Sequence, residues 1–300
     1  MLIAVTGVTG FIGRRLVAAL VAGGHMVRVL VREGSRSKVP PELETAIWDL
    51  EHGGDPAVLA GADALVHAAA YVPRSQADSS EAPRCWQINA FGTLKLVEAA
   101  IAARVPHVTY LSTGNAYRPL PREVVEEDAL YPSLRAPYYL TSKLCGEVYA
   151  DHAHQTGRAK VCVLRPSAVY GPGMSEFGLV PILAARLRRG EKASVHDGGR
   201  YQVDLVYVDD VVAATYAAVE RVATGIFNVG SGSATSSLEL AITLAELTGR
   251  GRSFVEVTDV QEGPPRVGFS ALDIGLARRE LGFAPRELRS GLAAYLGSLP

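Results

Sequence analysis

The stretch that most constrains this chain lies at its start. Leu2–Gly13 reads LIAVTGVTGFIG: a short apolar run with β-branched Ile3 and Val5, then glycines at 7, 10 and 13. An amphipathic segment follows, from Phe11 to Leu20. A strand that turns tightly on glycine into a helix aims the free N–H groups of the helix N-terminus at one point, where a pyrophosphate can be held. Each glycine has its own task. Gly7 permits the turn out of the strand. Gly10 lets the backbone approach a phosphate that a Cβ would strike. Gly13 lets the helix lie close on the sheet. Phe11 and Ile12 sit between the last two glycines and are expected beside the same ligand. Because 30 of 300 residues are Gly, a triplet alone carries little weight. Its place directly between a strand and a helix is what makes it informative.

The rest of the chain continues that alternation. Met26–Val31, Thr45–Trp48, Ala64–Val66, His107–Leu111 and Lys160–Leu164 read as strands, and Asp55–Leu59, Arg84–Arg104 and Pro137–Gln155 as the helices between them. Repeated β-α units imply an α/β fold with a Rossmann-type, doubly wound parallel sheet. Composition changes after Arg165. A basic amphipathic helix (Leu179–Arg189) precedes the strand-like 204–208 and a helix over 209–222, both expected to return to the main sheet with Ile226–Val229. Ser237–Thr248 reads as a helix capped by Ser236. The remainder mixes one strand, a loop at Pro264-Pro265 and two short helices. The expected division is a dinucleotide-binding domain over 1–170, rejoined at about 203–229. A smaller C-terminal substrate-binding lobe covers 171–202 and 230–300, and the ligand cleft lies between the two.

Charge and apolar content narrow the partners. Net charge is −1 without a basic run, so neither nucleic acid nor an anionic membrane surface is expected. No apolar run approaches the roughly 18 residues that a membrane helix needs. Met1 leads at once into a core strand, leaving no room for a signal peptide. Cys85, Cys145 and Cys162 are odd in number and widely spaced. They give no metal pattern and suit a reducing, cytoplasmic setting, each as a small buried hydrophobe.

Several positions could carry chemistry. Arg32 follows the second strand, where a carboxylate would hydrogen-bond an adenosine 2′-hydroxyl and repel a 2′-phosphate. Arg32, with Arg36 and Lys38 behind it, favours NADP(H) over NAD; alternatively these are solvated loop charges beside Glu33. Asp49 and Leu50 end the third strand, where an adenine amino group is read. Small residues Ala68, Ala69 and Ala70 after His67 let a cofactor lie against the backbone, or equally serve helix–sheet packing. Tyr139 and Lys143 are four apart on one helix face. A neighbouring ammonium is expected to lower the phenol pKa, which is near 10 when free. Ser112-Thr113 ends the fifth strand, and a hydroxyl there can polarise a substrate oxygen.

Taken together, these pieces resemble an extended short-chain dehydrogenase/reductase of the NAD-dependent epimerase/dehydratase group. The resemblance runs through Thr6-Gly7-x-x-Gly10-x-x-Gly13, His67-Ala68-Ala69, Asn89 in NAFGT, Ser112-Thr113 and Tyr139-x-x-x-Lys143. It continues through RPSAVYGPG (165–173), VDD (208–210), FNVGSG (227–232) and ARRELGFAP (277–285), nearly the whole chain. It implies Tyr139 as general acid/base, Lys143 tuning Tyr139 and holding the nicotinamide ribose, and Thr113 binding the reacting oxygen. It also implies Asn89 supporting the helix and a relay water, Pro166 and Val169 lining the nicotinamide, and a homodimer through the helices over 84–104 and 137–155. Family dehydratases follow the Thr with Asp-Glu, and decarboxylases place Glu second. Here Gly114-Asn115 follows, which leaves 4-ketoreduction, dehydrogenation or 4-epimerisation of a nucleotide sugar. Asn115, Arg200 and Arg266 are the expected substrate contacts. Val203-Asp204 lacks the Arg of the Arg-Asp pair of many nucleotide-sugar members. That departure also resembles steroid and dihydroflavonol reductases, so an apolar ketone stays open, as does a non-catalytic NADP(H)-sensing role.

Overall fold

A computed structural model describes residues 1–75, 78–134, 136–259 and 271–299. The apolar runs become β1 (Leu2–Thr6), β2 (Met26–Val31), β3 (Glu44–Ile47), β4 (Ala64–His67), β5 (His107–Leu111) and β6 (Lys160–Pro166). With the strand Gly225–Val229 they form one parallel seven-stranded sheet, in the order Gly225–Val229, β6, β5, β4, β1, β2, β3. Alternate side chains of each strand enter different cores, because helices cover both faces. Ile3, Val5 and Val29 pack with Leu16, Val17 and Leu20 of α1 (Phe11–Ala22) and with Val211 and Val212 of the helix Val208–Glu220. Ala4, Leu30 and Leu65 face the other way, toward Leu96 and Val97. The order reverses between β1 and β4, and this opens a crevice at the carboxyl ends of the strands. The expected Rossmann-type architecture is present.

A smaller lobe carries a third core. Helices Leu179–Arg188, Ser237–Leu247 and Leu288–Gly297 enclose it with the paired strands Ala193–Val195 and Val255–Val257. Ser236 caps its helix as expected, accepting from Glu239 N–H at 3.1 Å.

Two elements differ from their expected form. The strand expected over 204–208 is Leu205–Tyr207, and it pairs with Ala168–Tyr170 outside the seven-stranded sheet. Asp204 is drawn off as a fully buried acceptor for the N–H groups of Ser231 (2.7 Å) and Leu272 (3.0 Å). The single helix expected over 84–104 is three pieces: α2 (Ala82–Cys85), a π-helical turn (Trp86–Phe91) and α3 (Gly92–Ala102). The wide turn presents Asn89 toward the loop after β4, a use typical of π-bulges. α4 (Pro137–Gln155) has the expected bounds, with Pro137 in its first turn. Cys85 and Cys162 are buried as expected, whereas Cys145 on α4 is only half-buried. No described helix is long and apolar enough to cross a membrane. Arg266 and the Pro264-Pro265 loop lie outside the described residues.

Candidate active site

The glycine turn is built against itself. Gly7 has φ +78, and a Cβ there would stand 2.6 Å from Ala69 N. A Cβ on Gly13 would stand 2.1 Å from Gly7 O, so the helix can begin here only with glycine at that position. Gly10 N–H closes the turn on Gly7 O at 2.9 Å. No side chain caps α1 and its first turn holds no acid, so its leading N–H groups remain available to an anion. A backbone cradle that Cβ atoms would fill, beside an uncapped helix start, fits a dinucleotide pyrophosphate.

A cleft of about 230 Å³ opens next to this turn. Ile12, Ala68, Ala70, Thr113, Asn115, Tyr139, Lys143, Pro166 and Val169 line it, together with Leu111, Ser112, Ser167 and Ala168. The end of β5 and the first turns of α4 thus deliver Thr113, Tyr139 and Lys143 to one space. Thr113 Oγ1 accepts the Asn115 N–H at 3.2 Å, which leaves its own O–H to donate elsewhere. Burial pushes the Tyr139 phenol up to about 12, with Cys85 adding to the rise. The expected lowering by Lys143 is therefore overturned, because desolvation of phenolate outweighs any nearby cation. Burial brings the Lys143 ammonium down to about 7, with Glu147 acting in the opposite direction. Lys143 Nζ rests 4.1 Å from the centroid of the Tyr110 ring, whose hydroxyl donates to Lys143 O at 3.1 Å.

A polar frame stands behind these groups. Ala69 N–H donates to Thr6 Oγ1 (3.2 Å), and the Thr6 hydroxyl in turn reaches His67 Nδ1 (2.8 Å). His67 Nε2 meets Thr93 Oγ1 (2.9 Å), which donates to Asn89 O (2.6 Å). This order suits a neutral imidazole, and burial, aided by Lys143, holds His67 well below its ordinary pKa. Asn89 Oδ1 accepts Tyr71 N–H at 2.7 Å, while Nδ2 donates to Tyr71 O and Ser142 Oγ. Its amide is spent on the loop after β4 and on α4. It acts on that wall from behind. On α4, Glu147 follows Lys143 by one turn and binds buried Arg165, whose Nε stands 3.0 Å from Oε1. Arg165 also donates to Tyr117 Oη and to Glu126 O. Glu147 and Tyr110 escaped the sequence reading, although the i, i+4 step from Lys143 to Glu147 was visible there.

The remaining candidates lie apart from the cleft. Arg32 and Arg36 are exposed on a 3₁₀ turn after β2, and Arg32 Nε donates to Ser35 Oγ at 3.2 Å. The Asp49 carboxylate accepts Glu51 N–H at 2.8 Å, and Leu50 packs on Gly92. Phe11 packs toward the smaller lobe. Arg200 donates to the Asp197 carboxylate at 2.8 Å and does not line the cleft.

Residues 3–230 match the model of the NAD dependent epimerase/dehydratase family. A dTDP-glucose 4,6-dehydratase of Streptomyces griseus is 31% identical over 97% of this chain and 91% of its own length. A UDP-glucose 4-epimerase of Thermotoga maritima, solved with UDP-glucose, superposes with a TM-score of 0.82 at 30% identity, covering 99% of this chain and 98% of that one. The UDP-glucose 4-epimerase of Thermus thermophilus, solved with NAD, gives 0.78 at 28% identity over 99% and 98%.

Proposed function

The chain belongs to the NAD dependent epimerase/dehydratase family, extended short-chain dehydrogenases/reductases, and from that premise we propose that it transfers hydride at C4 of a nucleotide-activated sugar. The observation that carries this reading is the convergence of Thr113, Tyr139 and Lys143 on one cleft beside the glycine turn. Gly7, Gly10 and Gly13 would hold the pyrophosphate, Ala68 to Ala70 the adjoining ribose, and Pro166 and Val169 the nicotinamide. When bound, that ring supplies or accepts the hydride. The Thr113 hydroxyl donates to the substrate oxygen and fixes it. Tyr139, protonated at neutral pH, gives its phenol proton to that oxygen during reduction and takes it back during oxidation. Lys143 supplies a cation as charge develops on the phenol oxygen.

No Asp or Glu is among the described residues lining the cleft. This supports simple hydride transfer, by a 4-epimerase or 4-ketoreductase, over water elimination. Exposed Arg32, Arg36 and Lys38, with no acid at position 32, support NADP(H). A second reading, reduction of an apolar ketone, draws on exposed Val72, Leu134 and Phe177, all on loops leaving the carboxyl edge of strands.

A thermal-shift screen pairing NAD or NADPH with UDP or dTDP separates these readings, followed by turnover with UDP-glucose. A nucleotide diphosphate that raises the melting temperature favours the sugar, and none doing so favours the apolar ketone. Tyr139→Phe should lower turnover about 10²- to 10⁴-fold with the melting temperature kept. Near-normal turnover would reject the assignment. Tight NADPH binding without any turnover would leave a sensing role.

A further inference from the structure

Resting on the reading of the cleft as a dinucleotide site, we propose that Tyr110 is a positioning residue whose ring face holds the Lys143 ammonium while leaving its N–H donors free for the coenzyme. Lys143 is 2% exposed, yet among the described residues its Nζ makes no hydrogen bond and no ion pair. A buried ammonium without a partner is unfavourable. The acid one turn on, Glu147, is already engaged: Arg165 donates to its Oε1 from Nε at 3.0 Å and again from Nη2. What meets the ammonium is the face of Tyr110, with Nζ 4.1 Å from the ring centroid. A π face attracts a cation without accepting any particular N–H. A carboxylate in its place would neutralise the charge and occupy the donors. The N–H groups of Lys143 are thus left for a ligand in the cleft that it lines.

The ring is a fixed platform. Tyr110 is fully buried on β5, paired with His67 of β4 and Val163 of β6. Its hydroxyl donates to Lys143 O at 3.1 Å, so one side chain grips both ends of Lys143. α4 comes this close because residue 146 is glycine, where a Cβ would stand 2.7 Å from Tyr110 Oη. The His67 ring lies 5.4 Å from the Tyr110 ring and is kept neutral by burial, so it adds no second cation. The other titratable or charged groups near the pair are Tyr139, Cys145 and Glu147 with its partner Arg165. On this assignment the hold on Lys143 follows the charge of the ring face and not the volume of the ring.

The test replaces Tyr110 by phenylalanine, and by phenylalanine carrying one, two or three ring fluorines, which drain the π face at nearly constant shape. Protonation of Lys143 is read in the coenzyme-free protein from its Cε NMR signal, assigned through Lys143→Arg. Dissociation constants for NAD and NADPH are measured on the same proteins at pH 6 and pH 8. Each fluorine is expected to move the Lys143 midpoint to lower pH, by about one unit over the series. Coenzyme binding is then expected to weaken several-fold at pH 8 and less than about twofold at pH 6. A midpoint unchanged across the series, or an equal loss of affinity at both pH values, assigns Tyr110 to packing and overturns the proposal. Should the fluorinated proteins fail to fold, Tyr110→Phe and Tyr110→Leu keep and remove the ring. The Leu variant is expected to titrate about one unit lower, and equal midpoints overturn the proposal. A wild type that binds neither coenzyme overturns the dinucleotide reading, and this proposal with it.

Discussion

Lys143 shows how one buried side chain carries opposed demands. It is 2% exposed, so its ammonium has lost its water and is compensated by the Tyr110 face and by Glu147 one turn on. Its pKa near 7 in the fold lies well below the roughly 10.4 of an unfolded lysine. Between these values the unfolded chain binds more protons, so the fold is penalised below pH 7 and relieved as pH rises toward 10. Lys143→Met should therefore gain melting temperature over the wild type at pH 7, by a margin that shrinks steadily up to pH 10. A margin independent of pH would contradict the assignment. The same burial explains why the phenol shift was misjudged from sequence. Spacing showed that Tyr139 and Lys143 share a face, but desolvation depends on what covers that face, and the cover comes from Tyr110, Cys85 and the π-helical turn.

At the scale of elements, the strand ends were legible and their cross-links were not. β2, β5 and α4 have their expected bounds, because β-branched runs and the Pro137 start are local signals. The π-helical turn and the displaced strand Leu205–Tyr207 are set by tertiary partners, Asn89 on Tyr71 and Asp204 on Ser231 and Leu272, which no local pattern reveals. Glu147 and Arg165 join α4 to β6 as a buried pair, 5% and 4% exposed at their side chains. Removing one partner strands the other charge. Glu147→Gln should cost about 3–5 kcal/mol in denaturant unfolding, while a change below about 1 kcal/mol would show that the pair is dispensable.

Across the whole molecule, the π-helical turn exposes Trp86 (37%) and Phe91 (45%), and α4 exposes Val148 (56%). These are the helices the family resemblance offers for pairing two subunits. A homodimer through them predicts that Val148→Glu shifts the mass in light scattering from dimer to monomer, with secondary structure retained. An unchanged mass would assign these side chains to ordinary surface.

The turn after β2 has a practical consequence. Arg32, Arg36 and Lys38 are exposed, and the Arg32 side chain donates to Ser35 Oγ. The groups around Tyr139, by contrast, are locked into a frame shared with α4 and β6. On the proposed reading, the segment that would set coenzyme preference and the groups that would make and break bonds are separately editable. Residues 32–38 could then be rewritten for a different coenzyme without reopening the interior around Tyr139.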